Sequence, residues 1–499
     1  MQVSDIQKML DKAVKNIDEG KNLDEAESII NFLLTKDRNS QILWFYLATI
    51  FTRKKYLISS LEFYNKSLSI DDKSLNSTTV YNNIGVVYRE LNDYPNSIKS
   101  FEKAIEITNK EIEKCKKEND LERFDKLIKH KADFVINLGC MYVAQGCPDK
   151  SLKLLNEGLA VESDHNKGHW NRSLVYLEKG EYEKGWKEYE FGSRVMDKDG
   201  VTEAERIYNI PKLPYWDGTK GQTVIIFGEQ GIGDEIMFAS ILNEASKDIK
   251  IILDCHPRLV EIFRRAFPQM PVYGTRKVGC ENIAWQQFFK VDAKLSLASL
   301  CKFYRNDEKS FIDQSLIPYI SPDQKLYEFY NKKLQALENK PKIGISWTGG
   351  IKSTNENERH IPLEEWMPIF KQDVAIISLQ YRKDAQKQIA KFHEKHPDIE
   401  IHHWQYAVDD YDHTAALVAN LDLVISVPQS VVHLAGALGV ETWQLCPKKA
   451  LWQMGVYGKD MPWYSCVHNY WQDNSEKWAP VINKVSENLC NCIQSSIVN

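Results

Sequence analysis

The feature that most constrains this sequence is a pattern returning about every 34 residues through its first third. The clearest copy starts at Thr78 and carries Ile84, Gly85, Tyr88, Phe101 and Ala104. Another begins near Gln41 with Trp44, Leu47, Ala48, Phe51, Tyr64 and Ser67. A third uses Leu138, Gly139, Tyr142 and Leu155, a fourth uses Tyr176, Tyr182, Trp186 and Tyr189, and a weaker first copy contains Ile17, Ala26 and Ile30. Small residues at fixed places let one helix approach its partner, and aromatic residues fill the space between successive pairs. The period therefore predicts a superhelix of helix–turn–helix units over residues 1–195. One step is longer than the period, and the extra segment, Lys110 to Lys131, is highly charged. It reads as extended, solvated helices, with a partner-gripping hairpin as the alternative.

This period and residue pattern resemble the tetratricopeptide repeat (TPR), whose arrays offer a concave face to a peptide or protein. A chain of 499 residues also exceeds what one hydrophobic core serves, so further domains are expected. Sixty-four basic against 69 acidic residues leave a net charge of −5, which lacks the basic surplus of a phosphate-backbone binder and argues against nucleic acid as a partner. Met1 to Gly20 is polar, and no later stretch approaches the roughly 20 apolar residues of a membrane span. A cytoplasmic protein without a transmembrane segment is expected. The ten cysteines show no C-x-x-C spacing, and Cys490 and Cys492 read as two thiols on a terminal helix.

After Ser193 the repeat lapses, and residues 196–221 read as a linker ending in the Pro-rich stretch Ile210 to Gly218. Thr223 to Phe227 is an apolar, β-branched run that leads into a Gly-rich turn and a helix, and Ile249 to Leu253 is a second strand followed by a helix from Pro257 to Phe267. The alternation restarts with Lys342 to Trp347, Val374 to Gln380, Leu421 to Val427 and Glu441 to Cys446. Two α/β domains of Rossmann type are expected, over residues 222–335 and 336–499, with a cleft beyond the carboxyl ends of their strands.

The strand-to-helix loops hold the candidate chemistry. Gly231 and Gly233 allow close backbone approach at a helix N-terminus, which favours anions. Asp234 beside them reads equally as a general base and as a helix cap, and Glu235 follows it. In the second half Thr348, Gly349 and Gly350 form a bend, and the loop after it carries Lys352 and Arg359, cations suited to a departing diphosphate. Gln429 and Ser430 lead into a helix of small residues that contains His433 and Gly436. His433 reads as a ligand contact or as a satisfied core histidine. Asp410 and Asp412 form a D-x-D triplet, but an N-cap at Asp412 explains it without a metal.

From about Gly221 to Trp471 the chain resembles bacterial TPR-linked glycosyltransferases related to the heptosyltransferases of glycosyltransferase family 9. The blocks that carry the resemblance are GEQGIGDEIMFA, ISWTGGIKSTNENERHIPL, IISLQY, LDLVISVPQSVVHLAGALGVETWQLCP and MPWYS. The resemblance implies a GT-B enzyme whose first α/β domain holds an acceptor, with Gly231, Gly233 and Glu235 on that side, and whose second binds a nucleotide-activated sugar. Thr348, Gly349, Gly350, Lys352, Arg359, Gln380, Gln429, Ser430, His433 and Gly436 are the implied donor-binding residues, and Asp234 is the implied catalytic base. No cofactor or metal is implied. The family's donor loop has an aspartate where this chain has Pro428. Some members look like protein glycosyltransferases, so a protein acceptor on the array, flagellin or another surface protein, is the implied partner. A catalytically silent scaffold and a polysaccharide or lipid-linked acceptor are the alternatives.

Overall fold

The computed structural model describes residues 3–194, 213–229, 231–275, 284–311, 318–337, 339–350, 356–449 and 451–498. The chain divides into two compact units, the first from Met1 to Val175 and the second taking in Tyr176–Asp197 and Val201–Asn499.

The first unit is helical: α1 (Val3–Glu19), α2 (Leu23–Lys36), α3 (Gln41–Arg53), α4 (Leu57–Ile70), α5 (Leu75–Glu90), α6 (Tyr94–Glu118), α7 (Leu121–Ala144), α8 (Pro148–Val161) and the start of α9 (Asn166–Glu178). The periodic residues explain the pairing. A Cβ on Gly85 would stand 2.7 Å from the Phe101 ring, and one on Gly139 would stand 3.0 Å from Leu155. Ser97 donates to the Gly85 carbonyl at 2.7 Å and Ser151 to the Gly139 carbonyl at 3.0 Å, so one contact recurs in two helix pairs. The charged segment lengthens α6 and α7 into a hairpin. Ile112, Cys115 and Leu127 pack on its inner side, while Arg123 pairs with Glu111 at 2.6 Å and Lys126 with Glu122 at 2.6 Å on its exterior. Asp120 caps α7 by accepting from the Arg123 N–H at 3.1 Å.

The second unit contains two parallel sheets. Strands β1 (Thr223–Phe227), β2 (Lys250–Asp254), β3 (Val272–Tyr273) and β4 (Ala293–Ser296) lie in the order β3-β2-β1-β4. Strands β5 (Lys342–Ser346), β6 (Ala375–Ser378), β7 (Ile401–His403), β8 (Leu423–Ser426), β9 (Thr442–Cys446) and β10 (Val467–Trp471) lie in the order β10-β9-β8-β5-β6-β7. Read from β7, the larger sheet has the doubly wound order 3-2-1-4-5-6.

Two boundaries fall elsewhere than expected. Tyr182 and Trp186, the second-helix aromatics of the fourth repeat copy, lie in the core of the second unit. The Trp186 indole donates to the Arg305 carbonyl at 2.7 Å, and its ring packs edge-on against Phe238 and Trp452. The end of the expected linker also joins the first sheet, because Tyr215 bridges Lys294 of β4 and Trp216 is buried. Among the described residues no helix is long and apolar enough to cross a membrane.

Candidate functional site

In sheets of this topology the strand order reverses between β1 and β4 and between β5 and β8, and ligands collect beyond the carboxyl ends there. The loops leaving β1, β5 and β8 are those that carry the candidate residues.

On the first sheet, the helix Ile232–Ala239 has Gly231 as its N-cap. Asp234 is therefore an acid in the first turn rather than the N-cap residue itself. Its side chain is half-buried and curls back over the helix start, so that a Cβ on Gly231 would meet Oδ2 at 2.7 Å. Oδ1 accepts from Gln453 Nε2 at 3.3 Å. Glu235, expected on the acceptor side, turns inward instead. It is fully buried, lies under Gly228, and accepts the His256 N–H at 2.7 Å, tying the loop after β1 to the loop after β2.

On the second sheet, the turn after β5 is held by the buried amide of Gln380. Its Oε1 accepts from Ser346 Oγ at 2.7 Å and from the N–H groups of Trp347 and Thr348 at 3.1 Å each, while Nε2 donates to the Thr348 carbonyl at 3.1 Å. These bonds engage the amide on both ends, so Gln380 shapes the turn and is not available as the donor-binding group expected of it. Thr348 is buried against His360 at 2.7 Å. Gly349 lies so close to the next loop that a Cβ would sit 2.2 Å from the Pro428 carbonyl oxygen. Gly350 has φ of +76°, and its carbonyl accepts from Tyr381 at 3.0 Å. Lys352 lies outside the described residues.

Arg359 is buried at the junction of these loops. Nη1 donates to the Pro428 carbonyl at 3.3 Å, and the Arg359 carbonyl accepts from Gly349 at 3.0 Å. Burial lowers its pKa, while Tyr381, Glu358 and Asp234 act in the opposite direction. Asp234 and Arg359 thus feel each other's charge across the loops.

The helix Ser430–Leu438 starts after Gln429, has no side-chain cap, and carries no acid in its first turn. Gln429 donates to Ser426 Oγ at 3.3 Å, and Ser430 Oγ accepts from Tyr411 at 2.6 Å. His433 is buried one turn in, and its Nδ1 has no hydrogen-bond partner among the described residues. Burial pushes its pKa down to about 4, so it is a neutral imidazole near pH 7. Gly436 is a packing position, since a Cβ there would stand 2.5 Å from the Tyr464 ring. That contact accounts for its small size and replaces the donor role expected of it.

The helices bearing Asp234 and His433 meet directly. A Cβ on Gly233 would lie 3.1 Å from the His433 ring and 3.2 Å from the Ser430 Cα. The loops after β1 and β8 therefore meet as two abutting helix starts, with no gap between them at this contact. Two N-termini, a carboxylate, a buried guanidinium and a neutral imidazole share one junction, an arrangement able to accept a proton on one side and hold an anion on the other.

The D-x-D triplet needs a correction. Asp410, not Asp412, caps the helix Tyr411–Val418, accepting from the N–H groups of Asp412 and His413 at 2.8 and 3.2 Å, while Asp412 pairs with Arg265. Sequence reasoning missed Gln453, Tyr411 and Arg258, whose guanidinium lies 4.7 Å from the Tyr411 ring centre. None of these belongs to a spaced motif. Only the aromatic and amide run Leu451–Trp452–Gln453 after β9 marks Gln453 at all.

A profile of the tetratricopeptide repeat matches residues 78–111. Protein FlbA of Caulobacter vibrioides is 28% identical over 336 residues, which cover 64% of this chain and 54% of FlbA, so the chain spans about half the length of that relative. Among solved structures, Pseudomonas aeruginosa pilF is 16% identical with a TM-score of 0.31 and covers 39% of this chain and 76% of its own. MamA is 17% identical with a TM-score of 0.28, covering 38% of this chain and 92% of its own. The N-terminal helices form a tetratricopeptide-type superhelix, the architecture of protein-interaction scaffolds, followed by an α/β region of parallel sheets.

Proposed function

We propose that the chain is a GT-B glycosyltransferase related to the heptosyltransferases of family 9. In this reading it moves a sugar, with inversion, from a nucleotide-activated donor to a hydroxyl of a protein docked on the array. The observation that carries this reading is the abutment of the Asp234 and His433 helices beside Arg359, beyond the carboxyl ends of two parallel sheets. Asp234 takes the proton of the acceptor hydroxyl as its oxygen bonds to the anomeric carbon. The bond from that carbon to the phosphate oxygen breaks, and its electron pair leaves with the phosphate. Arg359 and the first N–H groups of the helix Ser430–Leu438 receive the charge, and these fixed donors take the place a metal would fill.

The test is transfer from a panel of nucleotide sugars to bacterial protein extract by the full chain. Asp234→Asn is expected to lower the rate by about 10²-fold to 10⁴-fold while leaving the melting temperature within a few degrees. Full activity in that variant sinks the assignment of the base. A second reading, a scaffold that has lost catalysis, draws on Pro428, whose carbonyl already accepts from Arg359. Calorimetry separates the two, because a scaffold gives no heat with any nucleotide sugar. If the acceptor is a polysaccharide or lipid-linked glycan instead, transfer survives deletion of the array.

A further inference from the structure

The start of the helix Tyr182–Tyr189, Glu308 with Phe311, and the loop 456–465 enclose a cavity of about 310 Å³ within the second unit. Tyr464 lines it, and the same ring packs on Gly436 and has its centre 6.0 Å from that of His433. One side chain thus separates the cavity from the junction. Phe311 gives it an apolar side, with ring centres 4.9 Å from both Trp463, met edge-on, and Tyr182. The polar groups are few. Glu308 and Lys459 pair at 3.2 Å through largely exposed side chains. Asp460 accepts from His468 at 3.1 Å and from the Asn469 N–H at 2.8 Å, which leaves a spare lone pair on each carboxylate oxygen. Tyr182 differs from these three. It is only 8% exposed, yet its hydroxyl makes no hydrogen bond among the described residues. Burial and then the charge of Glu308 push its pKa up to about 12, so the phenol feels an acid of the cavity wall and keeps its proton near pH 7.

We propose that this cavity binds one uncharged sugar unit, with a ring hydroxyl accepting from Tyr182 and neighbouring hydroxyls donating to Glu308 and Asp460. A sugar hydroxyl both accepts and donates, which is what a phenol O–H set among carboxylates requires. A Lys or Arg side chain carries donors only, so it leaves the Tyr182 O–H unserved. A phosphate or carboxylate serves the phenol but meets two acids against the one ammonium of Lys459. Size points the same way. The volume lies at the lower end of small-molecule pockets, where apolar and aromatic walls take the body of a ligand and a few placed polar groups orient it. That suits a single ring, whose C–H faces pack on the aromatic side chains, better than a dinucleotide. A buried hydroxyl without a partner weakens the fold, and a sugar seated there removes the penalty. The inference stands apart from the glycosyl-transfer reading, because the cavity is lined neither by Asp234 nor by the helix Ser430–Leu438.

The experiment is saturation-transfer difference NMR on the full chain, titrated with glucose, galactose, mannose and N-acetylglucosamine, and with glucuronate and glucosamine as charged counterparts. At least one neutral sugar is expected to bind saturably with Kd of about 1 to 10 mM, and each charged sugar about fivefold or more weakly. Tyr182→Phe removes only the unpartnered hydroxyl. It is expected to lose about fivefold to tenfold in affinity while the melting temperature stays the same or rises, an outcome that a purely structural tyrosine does not give. Val456→Trp, which fills the cavity from its loop side, is expected to abolish binding and supplies a second variant. Saturable binding by none of the neutral sugars, tighter binding of glucuronate or glucosamine, or unchanged affinity in either variant would each overturn the proposal.

Discussion

The loop after β1 and the loop after β8 each carry a parallel strand into a helix, and the two helices touch at Gly233 and Ser430, yet they deliver opposite chemistry. The first places the half-buried carboxylate of Asp234 in its opening turn. The second has no acid there, no side-chain cap, and a buried neutral histidine one turn in. Both helix starts favour negative charge, since unpaired N–H groups point outward from each. Asp234 supplies that charge to its own helix, whereas the His433 helix leaves the place open to an external anion. The same backbone device thus yields a proton acceptor on one side and an anion receiver on the other, and the difference rests on a few side chains.

The largest effect that tests this contrast is steric. Gly349 is held by its bond to the Arg359 carbonyl and would drive a Cβ to 2.2 Å from the Pro428 oxygen, with backbone on both sides and nothing flexible to yield. Gly349→Ala is expected to cost about 3 kcal/mol or more in urea unfolding. Gly350→Ala, penalised only for its positive φ, is expected to cost about 1 kcal/mol. Similar costs for both would mean that the β5 and β8 loops do not close on each other, and the anion side would lose its wall.

The next effect is a pH dependence. His433 has a folded pKa of about 4 against an ordinary value of 6.5, so the unfolded chain binds the extra proton between those limits. Stability contributed by the neutral imidazole is complete above pH 6.5, falls as the pH drops toward 4, and levels off below. The full loss is about 3 kcal/mol at most. His433→Leu is expected to remove about one proton's worth of slope, roughly 1.4 kcal/mol per pH unit in that window. Matching slopes in the two proteins would show a charged histidine, and the contrast with Asp234 would have to be redrawn.

How much of this was legible beforehand follows the physics of each region. The array announces itself because Gly85, Phe101, Gly139 and Leu155 repeat one packing solution, and repetition is visible without coordinates. Strands β1, β5 and β8 are apolar runs, as strands buried on both faces must be. Strands β3, β4, β7 and β10 escaped because all four lie at sheet edges, β3 has two residues, and Ala293–Ser296, Ile401–His403 and Val467–Trp471 carry polar side chains. Site residues divide similarly. Loop glycines were legible as positions of close approach, but Glu235 and Gln380 look like ligand groups in sequence and prove to be fasteners, because only coordinates show where a buried amide or carboxylate finds its partners. Gln453 reaches Asp234 from a loop far along the chain, a contact no local pattern encodes.

The smallest expected effect bears most directly on the junction itself. A methyl group at Gly233 would meet the His433 ring at 3.1 Å and the Ser430 backbone at 3.2 Å, contacts that a shift of a few tenths of an ångström relieves. Gly233→Ala is therefore expected to cost about 1 kcal/mol or less in stability. Such a shift moves Asp234 relative to the anion-receiving helix, and catalysis depends far more steeply on placement than folding does. Transfer activity is expected to fall about tenfold or more in a variant whose melting temperature changes by only a few degrees. Equal, small losses in both measurements would mean that the two helix starts meet for packing alone, and that the acid and the imidazole do not serve one reaction.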